Sequence, residues 1–514
     1  MANPTSDGEA VPYQALLTIC AMVATLMQSL DSTIANVALP YMQGSLSASY
    51  DQITWVLTSY IVAAAIMTAP VGWLSSRFGQ KRLFLVSLIG FTATSMLCGF
   101  AGSLDEMVLF RFAQGCFGAA LVPLSQSTML DIYPPEKRGQ AMAIWGMGVM
   151  VGPIVGPTLG GYLTELYNWR YVFFVNLPFG SLATLGIWFA MRSEKAQTGL
   201  RFDWFGFGVL AMGLAGLQFM LDRGETKDWF SSNEVITAAI LAVFGLYLFL
   251  VHLWTAEKPF ITPRIFRDRN FSMALVVMFL LGMVLLASSA LMAPWLQELG
   301  DYPVEKAGLL MAPRGFGTMA AMMLAGRLTN RIDARLLMGI GVGVMGWSFW
   351  RMTGWTPAVS QSEIVWNTVI QGFGLGFVFI PLNVVAFATL DPALRTQGTA
   401  IWSLIRNVGS AVGISIFEAL ITRNTQVEHS VLAPFSSPLN REFQSSPAIS
   451  SMLSPAAPHG AALFDQMITR QAQIIAYNDD FRLMMLIAAP ILLLLPLMRR
   501  AARGDAGGGH AVMD

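Results

Sequence analysis

Apolar runs of roughly 20 residues recur along this chain from Tyr13 to Met498, and 20 apolar residues is the length at which a helix crosses a bilayer. Backbone polar groups in hydrocarbon must be satisfied within the segment, so each run reads as a helix. Composition agrees. Hydrophobic residues make up 54% of 514 positions and charged residues only 12%, about half the charge of a soluble domain. The reading places spans at 13–40, 53–74, 83–102, 104–130, 140–162, 171–191, 203–221, 235–255, 271–297, 307–327, 336–354, 364–390, 397–422 and 481–498. It gives an all-α membrane protein of fourteen transmembrane helices.

Several classes are set aside. The first twelve residues carry no basic residue, so the first run reads as a true span rather than a cleaved signal. Cys20, Cys98 and Cys116 all fall inside apolar runs, so no disulfide framework is implied. No phosphate-cradling G-x-x-x-x-G-K-[ST] loop occurs, against an ATP-driven pump. The histidines, His252, His429, His459 and His510, lie at or beyond helix ends, against a Ser-His or metal site. No basic cluster dense enough to track nucleic acid is present. A sensor or scaffold stays open at this level.

Lys and Arg placement sets the orientation. With an inside N-terminus, the inward segments hold 19 Lys and Arg and the short outward loops five. An even helix count returns the C-terminus to the same side. The chain also repeats itself. GWLSSR at 72–77 recurs as GRLTNR at 326–331, and Gln114-Gly115 recurs as Gln371-Gly372. Arg138, Gln140, Trp145, Gly152 and Gly156 match Arg395, Gln397, Trp402, Gly409 and Gly413 at one constant offset. Two parallel six-helix halves with two extra helices between them follow. That is a transporter architecture with the substrate site between the halves. The expected divisions are a tail 1–12, a bundle 13–192, linker helices 193–270, a second bundle 271–498 and a tail 499–514. The second bundle carries a long outward loop, 423–480. Within that loop 461–477 is amphipathic, suited to a partner or the bilayer surface, or to being a partly ordered loop.

Ionisable residues at membrane depth are rare and need a reason, because a central charge costs about 2.5–3.5 kcal/mol on insertion scales. The exceptions are Asp31, Arg111, Arg314, Arg406 and Glu418. Asp31 and Arg111 come out at matching depths, which permits an interaction, and changing access to water would then move a proton on and off Asp31. A buried structural anchor is the other reading of the pair. Arg314 and Glu418 are offered as partners of one another. Gly152, Pro153, Gly156, Pro157, Gly160 and Gly161 predict a kinked, smooth helix that lets a neighbour approach closely. An apolar small-molecule pocket with a few polar groups nominates Gln28, Asn36, Gln114, Gln126, Trp145, Asn383 and Trp402.

These motifs resemble the major facilitator superfamily in its fourteen-helix drug:proton antiporter branch. The likeness covers nearly the whole chain. GWLSSRFGQKR at 72–82 is similar to the gate loop between helices two and three, with Gly72, Arg77, Gly79 and Arg82 in their places and Ser76 where an acid is usual. RFAQG at 111–115 resembles the buried-arginine motif, GPIVGPTLGG at 152–161 the antiporter motif, and Arg406 a basic residue of its helix. LDSTIANVALP at 30–40 and WRYVFFVNLP at 169–178 are typical of the branch. The resemblance implies export of hydrophobic, often weakly acidic compounds across a bacterial inner membrane. The proton motive force would drive it, with no cofactor. A periplasmic adaptor and an outer-membrane channel are the implied partners. Export of one endogenous metabolite or siderophore is the alternative.

Overall fold

The computed structural model describes residues 13–193, 197, 199, 201–329, 331–436 and 458–498, and among them every regular element is a helix. The first half holds α1 (Gln14–Ser45), α2 (Tyr50–Ile53), α3 (Trp55–Thr68), α4 (Val71–Phe78), α5 (Gln80–Phe100), α6 (Leu104–Gly118), α7 (Leu121–Ile132), α8 (Arg138–Leu166), α9 (Tyr171–Phe174) and α10 (Asn176–Ala190). Two helices follow, α11 (Trp204–Arg223) and α12 (Asn233–Thr255). The second half holds α13 (Arg269–Pro294), α14 (Val304–Met311), α15 (Pro313–Leu328), α16 (Ala334–Met352), α17 (Gln361–Ala388), α18 (Arg395–Leu432) and a last helix, α19 (Pro458–Leu494). Among the described residues ten helices are long and apolar enough to cross a membrane, eleven when α3 and α4, bent by 57°, count as one span. The protein is a multi-pass membrane protein. The other expected spans fall at α8, α14–α15 and α16.

The two halves pack by one rule. α8 lies along α1, and α18 lies along α13, through glycines that admit a backbone where a side chain would collide. A Cβ on Gly152 would sit 2.5 Å from the Ser29 Cβ, and one on Gly409 would sit 2.5 Å from the Phe279 carbonyl oxygen. Gly156 meets Thr33, and Gly413 meets Met283. Gly160 continues the first series against Ile34, whereas Gly161 has open space. α8 is one unbroken helix through the positions of Pro153 and Pro157, whose side chains lie outside the described residues.

Three expectations change. The 72–82 segment is a helix, α4, up to Phe78, and only Gly79 is a true turn, with φ of 88° that suits glycine. The first helix continues past Pro40 to Ser45, because a proline costs one ladder bond without ending a helix that neighbours support. The described parts of the expected loop 423–480 are mostly helical. α18 runs on to Leu432, and α19 carries the amphipathic stretch straight into the last span. Arg470 donates to the Leu299 carbonyl and pairs with Asp301, which ties that extension to the end of α13. Residues 437–457 lie outside the described ones.

α11 and α12 pair with one another and lie where the halves meet. Thr58 of α3 donates to Asp222, and Ser415 of α18 donates to the Leu221 carbonyl at 3.0 Å, so the end of α11 touches both halves.

Candidate functional site

Five helical segments converge on one carboxylate. Asp31 sits on α1, 0% exposed, and Arg111, also 0% exposed, reaches it from α6 with Nη1 2.7 Å from Oδ2. Gln114, one turn further on α6, donates from Nε2 to Oδ1 at 2.8 Å and accepts from Arg111 Nη1 at 2.8 Å. Asn176, at the start of α10, donates to the same Oδ1 at 3.2 Å and to Ser95 Oγ of α5 at 3.0 Å. Ser95 in turn donates to the Phe173 carbonyl of α9 at 2.9 Å. From α3, the Val56 carbonyl accepts from Arg111 Nε at 3.1 Å, and the Tyr60 ring lies 4.3 Å from the guanidinium carbon. Arg111 Nη2 has no hydrogen-bond partner.

Each neighbour follows from local sequence. Residues three apart on a helix share a face, so Arg111 and Gln114 point the same way. The glycines at Gly152 and Gly156 hold α1 from the side of Ser29 and Thr33, which leaves Asp31 facing the bundle. Every polar contact to the carboxylate comes from a donor. A proton added to either oxygen meets donors on both and must break part of the network. Removing one partner of a buried pair strands the other charge, at about 3–5 kcal/mol.

The other nominated residues separate into groups. Gln28 is half-buried, with Nε2 3.5 Å from the Tyr60 hydroxyl, and Asn36 is exposed. Gln126 and Asn383 are fully buried and bond to each other across the halves at 2.6 Å. Trp145, also fully buried, donates to Thr25 Oγ1 at 3.1 Å and stacks near Phe379. Trp402 is buried against Phe387 in the second half. In this conformation Gln126, Asn383, Trp145 and Trp402 are packed contacts, not open pocket walls, because the halves meet over them. Gln114 is a ligand of Asp31.

Arg314 and Glu418 do not pair. Arg314 donates to Ser289 Oγ and to the Leu285 carbonyl. Glu418 lies exposed on α18, near Asp222 and Glu225 at the end of α11. Arg406 touches only Asn407 at 3.5 Å among its polar contacts. Among the described residues no carboxylate lies within 4.0 Å of Arg314 or Arg406.

The 72–82 segment packs tightly against the second half. Gly72 crosses α18 so tightly that a Cβ would lie 2.6 Å from the Gln397 Cα, and Gly139 and Gly326 bring α8 and α15 together in the same way. Arg77 donates to the Gln197 carbonyl at 3.4 Å, while Arg82 is exposed. Side-chain hydrogen bonds between the halves include Gln126–Asn383, Ser127–Thr396, Thr399 to the Pro123 carbonyl, and Asp131–Arg395 at 3.0 Å. All lie toward the ends that carry the basic segments.

Sequence reasoning missed Asn176, Ser95, Tyr60 and Asp131. Asn176 had a signal, a buried amide in an apolar run. Asp131 had a weaker one, since it opens a basic segment and reads as a solvated helix end.

A profile for the Major Facilitator Superfamily matches residues 21–414, most of the chain. The chain belongs to the Major Facilitator Superfamily. As a member of that family it is a transporter rather than an enzyme. The multidrug export protein EmrB of Escherichia coli (strain K12) is 35% identical over 96% of this chain and 98% of its own length. The fatty acid resistance protein FarB of Neisseria gonorrhoeae is 32% identical, covering 99% and 100% of the two chains. Among solved structures, the human organic anion transporter MFSD10 aligns with a TM-score of 0.58 over 93% of this chain and all of that one, at 14% identity. That last likeness speaks to the fold.

Proposed function

We propose that this protein exports hydrophobic drugs and toxic small molecules across the bacterial inner membrane in exchange for protons, with Asp31 as the proton carrier and Arg111 as its counter-ion. The observation that carries the reading is the fully buried Asp31–Arg111 pair on α1 and α6. The multidrug export name of EmrB supports the substrate class. Both termini lie on the cytoplasmic side, where the basic segments gather, and the interface through Asp131 and Arg395 closes that side. With that side shut and Asp31 0% exposed, a proton reaches the carboxylate once the outer side admits water.

Protonation of Asp31 discharges the pair and leaves Arg111 with the Val56 carbonyl, Gln114 and the Tyr60 ring. The cost of that state is relieved as α1 and α8 move along their glycine contact and the opposite side opens. One proton crossing 100 mV supplies about 2.3 kcal/mol, enough for roughly a fiftyfold gradient of a neutral compound. Arg314 and Arg406 place two cations without carboxylate partners at membrane depth in the second half. They favour amphiphiles with an acidic group, in keeping with the name of FarB. A periplasmic adaptor and an outer-membrane channel complete the route, with the α18 and α19 extensions as the docking element.

The test is drug export from proteoliposomes under an imposed pH gradient, comparing the parent with Asp31→Asn. Export driven by the gradient is lost while drug binding survives. Unchanged uphill export by Asp31→Asn removes this residue from the mechanism. A profile restricted to one compound among unrelated drugs replaces multidrug export with export of an endogenous metabolite.

A further inference from the structure

The α3–α6 pair has a second working face. One side carries Val56, Tyr60 and Arg111 toward Asp31. The other side, with Trp55 and Ser59 from α3 and Asp105 and Phe112 from α6, walls a cavity of about 680 Å³ that α11 closes with Ala215 and Phe219. Leu109, also on this wall, is 64% exposed, so the cavity opens sideways, toward the surroundings of the bundle. Its lining is apolar and aromatic apart from Ser59, Asp105 and Gln52.

Those three polar groups are ordered by depth. Gln52 and Asp105 are exposed and sit near the ends of α2 and α6 away from the basic segments. Ser59 lies four residues below Trp55, about 6 Å along α3. It is 7% exposed, lines the cavity, and its Oγ has no hydrogen-bond partner. A helical serine ordinarily turns its hydroxyl onto the carbonyl one turn back. Here the Ser59 Oγ is buried at the edge of an apolar chamber with that bond unmade, which is unfavourable unless a turn about χ1 lets an occupant supply it.

We propose that this groove holds one membrane phospholipid with an ammonium-bearing head. The head sits at the rim, where Asp105 offers a carboxylate and the lining offers no lysine or arginine. The ester carbonyl below it accepts from Ser59, and an acyl chain fills the space between Phe112 and Phe219. The sideways opening selects a lipid over a solute from water. The lipid then fills the gap beside the Trp55–Arg223 stack, 5.1 Å from ring to guanidinium, and the Thr58–Asp222 bond that fasten α11 to α3. The site requires only that the protein lie in a bilayer, so its failure leaves the export reading untouched.

The experiment uses the full chain in nanodiscs with trace phosphatidylethanolamine or phosphatidylglycerol bearing a photoactivatable acyl chain, and maps the labelled peptides. Labelling concentrates on peptides of α3, α6 and α11, and the amine-headed probe labels about threefold more, the scale of an exposed ion pair. Asp105→Asn removes that preference, and being at the exposed rim it leaves the packing intact. Ala215→Phe fills the groove and lowers labelling with either head. Labelling spread evenly over all lipid-facing helices overturns the proposal, as does equal labelling by the two heads in the parent. Displacement of the lipid by an exported drug at its transport concentration also overturns it and makes the groove a substrate site.

Discussion

The two halves repeat one another in packing and differ in charge. Gly152 and Gly156 seat α8 on Ser29 and Thr33, and Gly409 and Gly413 seat α18 on Phe279 and Met283. Carried along the helices, that correspondence puts Leu281 where the first half has Asp31. Gln371 repeats Gln114, but Gln114 is spent on Asp31 whereas Gln371 Nε2 has no partner. Leu281, Gln371 and Arg314 line one small cavity instead of an ion pair. Backbone approach is a requirement of rocking helices and is shared. On the proposed exchange a titratable pair is needed in one half alone.

The comparison breaks first at Asp31 and Arg111. Arg111→Ala strands a buried carboxylate and lowers stability by about 3–5 kcal/mol, seen as a fall in the melting temperature of purified protein. The double change Asp31→Leu with Arg111→Leu recovers most of that stability and none of the gradient-driven export. Recovery of export by the double variant would reduce the pair to a structural anchor. In the parent, export rises as the outside is acidified at fixed inside pH, and Asp31→Asn flattens that dependence.

Next in size are the shared glycines. Gly152→Val and Gly409→Val each overpack a helix crossing, at about 1–3 kcal/mol. Equal losses in stability and in export are the expected result, because the two contacts do the same task. A loss confined to Gly152→Val would mean that only α8 moves on its partner.

Asp131→Asn has a smaller effect on stability, about 1 kcal/mol or less, because the carboxylate is 37% exposed and its pairing with Arg395 is partly screened. Its measurable consequence is conformational. Cysteines introduced near Gly139 become more reactive to a membrane-impermeant reagent added from the basic side. The smallest change is Arg314→Gln, which lowers export of acidic compounds severalfold and leaves neutral ones nearly unaltered. A uniform loss across both classes would assign Arg314 to packing.

Much of this was readable before any coordinates. Spans, the two-half repeat and the Asp31–Arg111 match came from apolar length, offset and charge at depth, and the family from the resemblance of its motifs. The extent of α1, α18 and α19 was not, since a proline or a polar stretch marks where apolarity ends and not where a helix ends. Asn176 and Ser95 escaped because a single amide or hydroxyl in an apolar run carries no period. The Arg314–Glu418 pairing failed because depth says nothing about azimuth, and α18 turns Glu418 toward α11.

The amino-acid order by itself determined that this chain lives in a membrane as two like bundles, because hydrocarbon enforces helix length and excludes unpaired charge. Only the tertiary structure decided which groups surround Asp31, which side of the bundle is shut, and that α3 and α6 carry a groove on their outer face. Those depend on how helices rotate against one another, and glycine contacts several helices apart set that rotation.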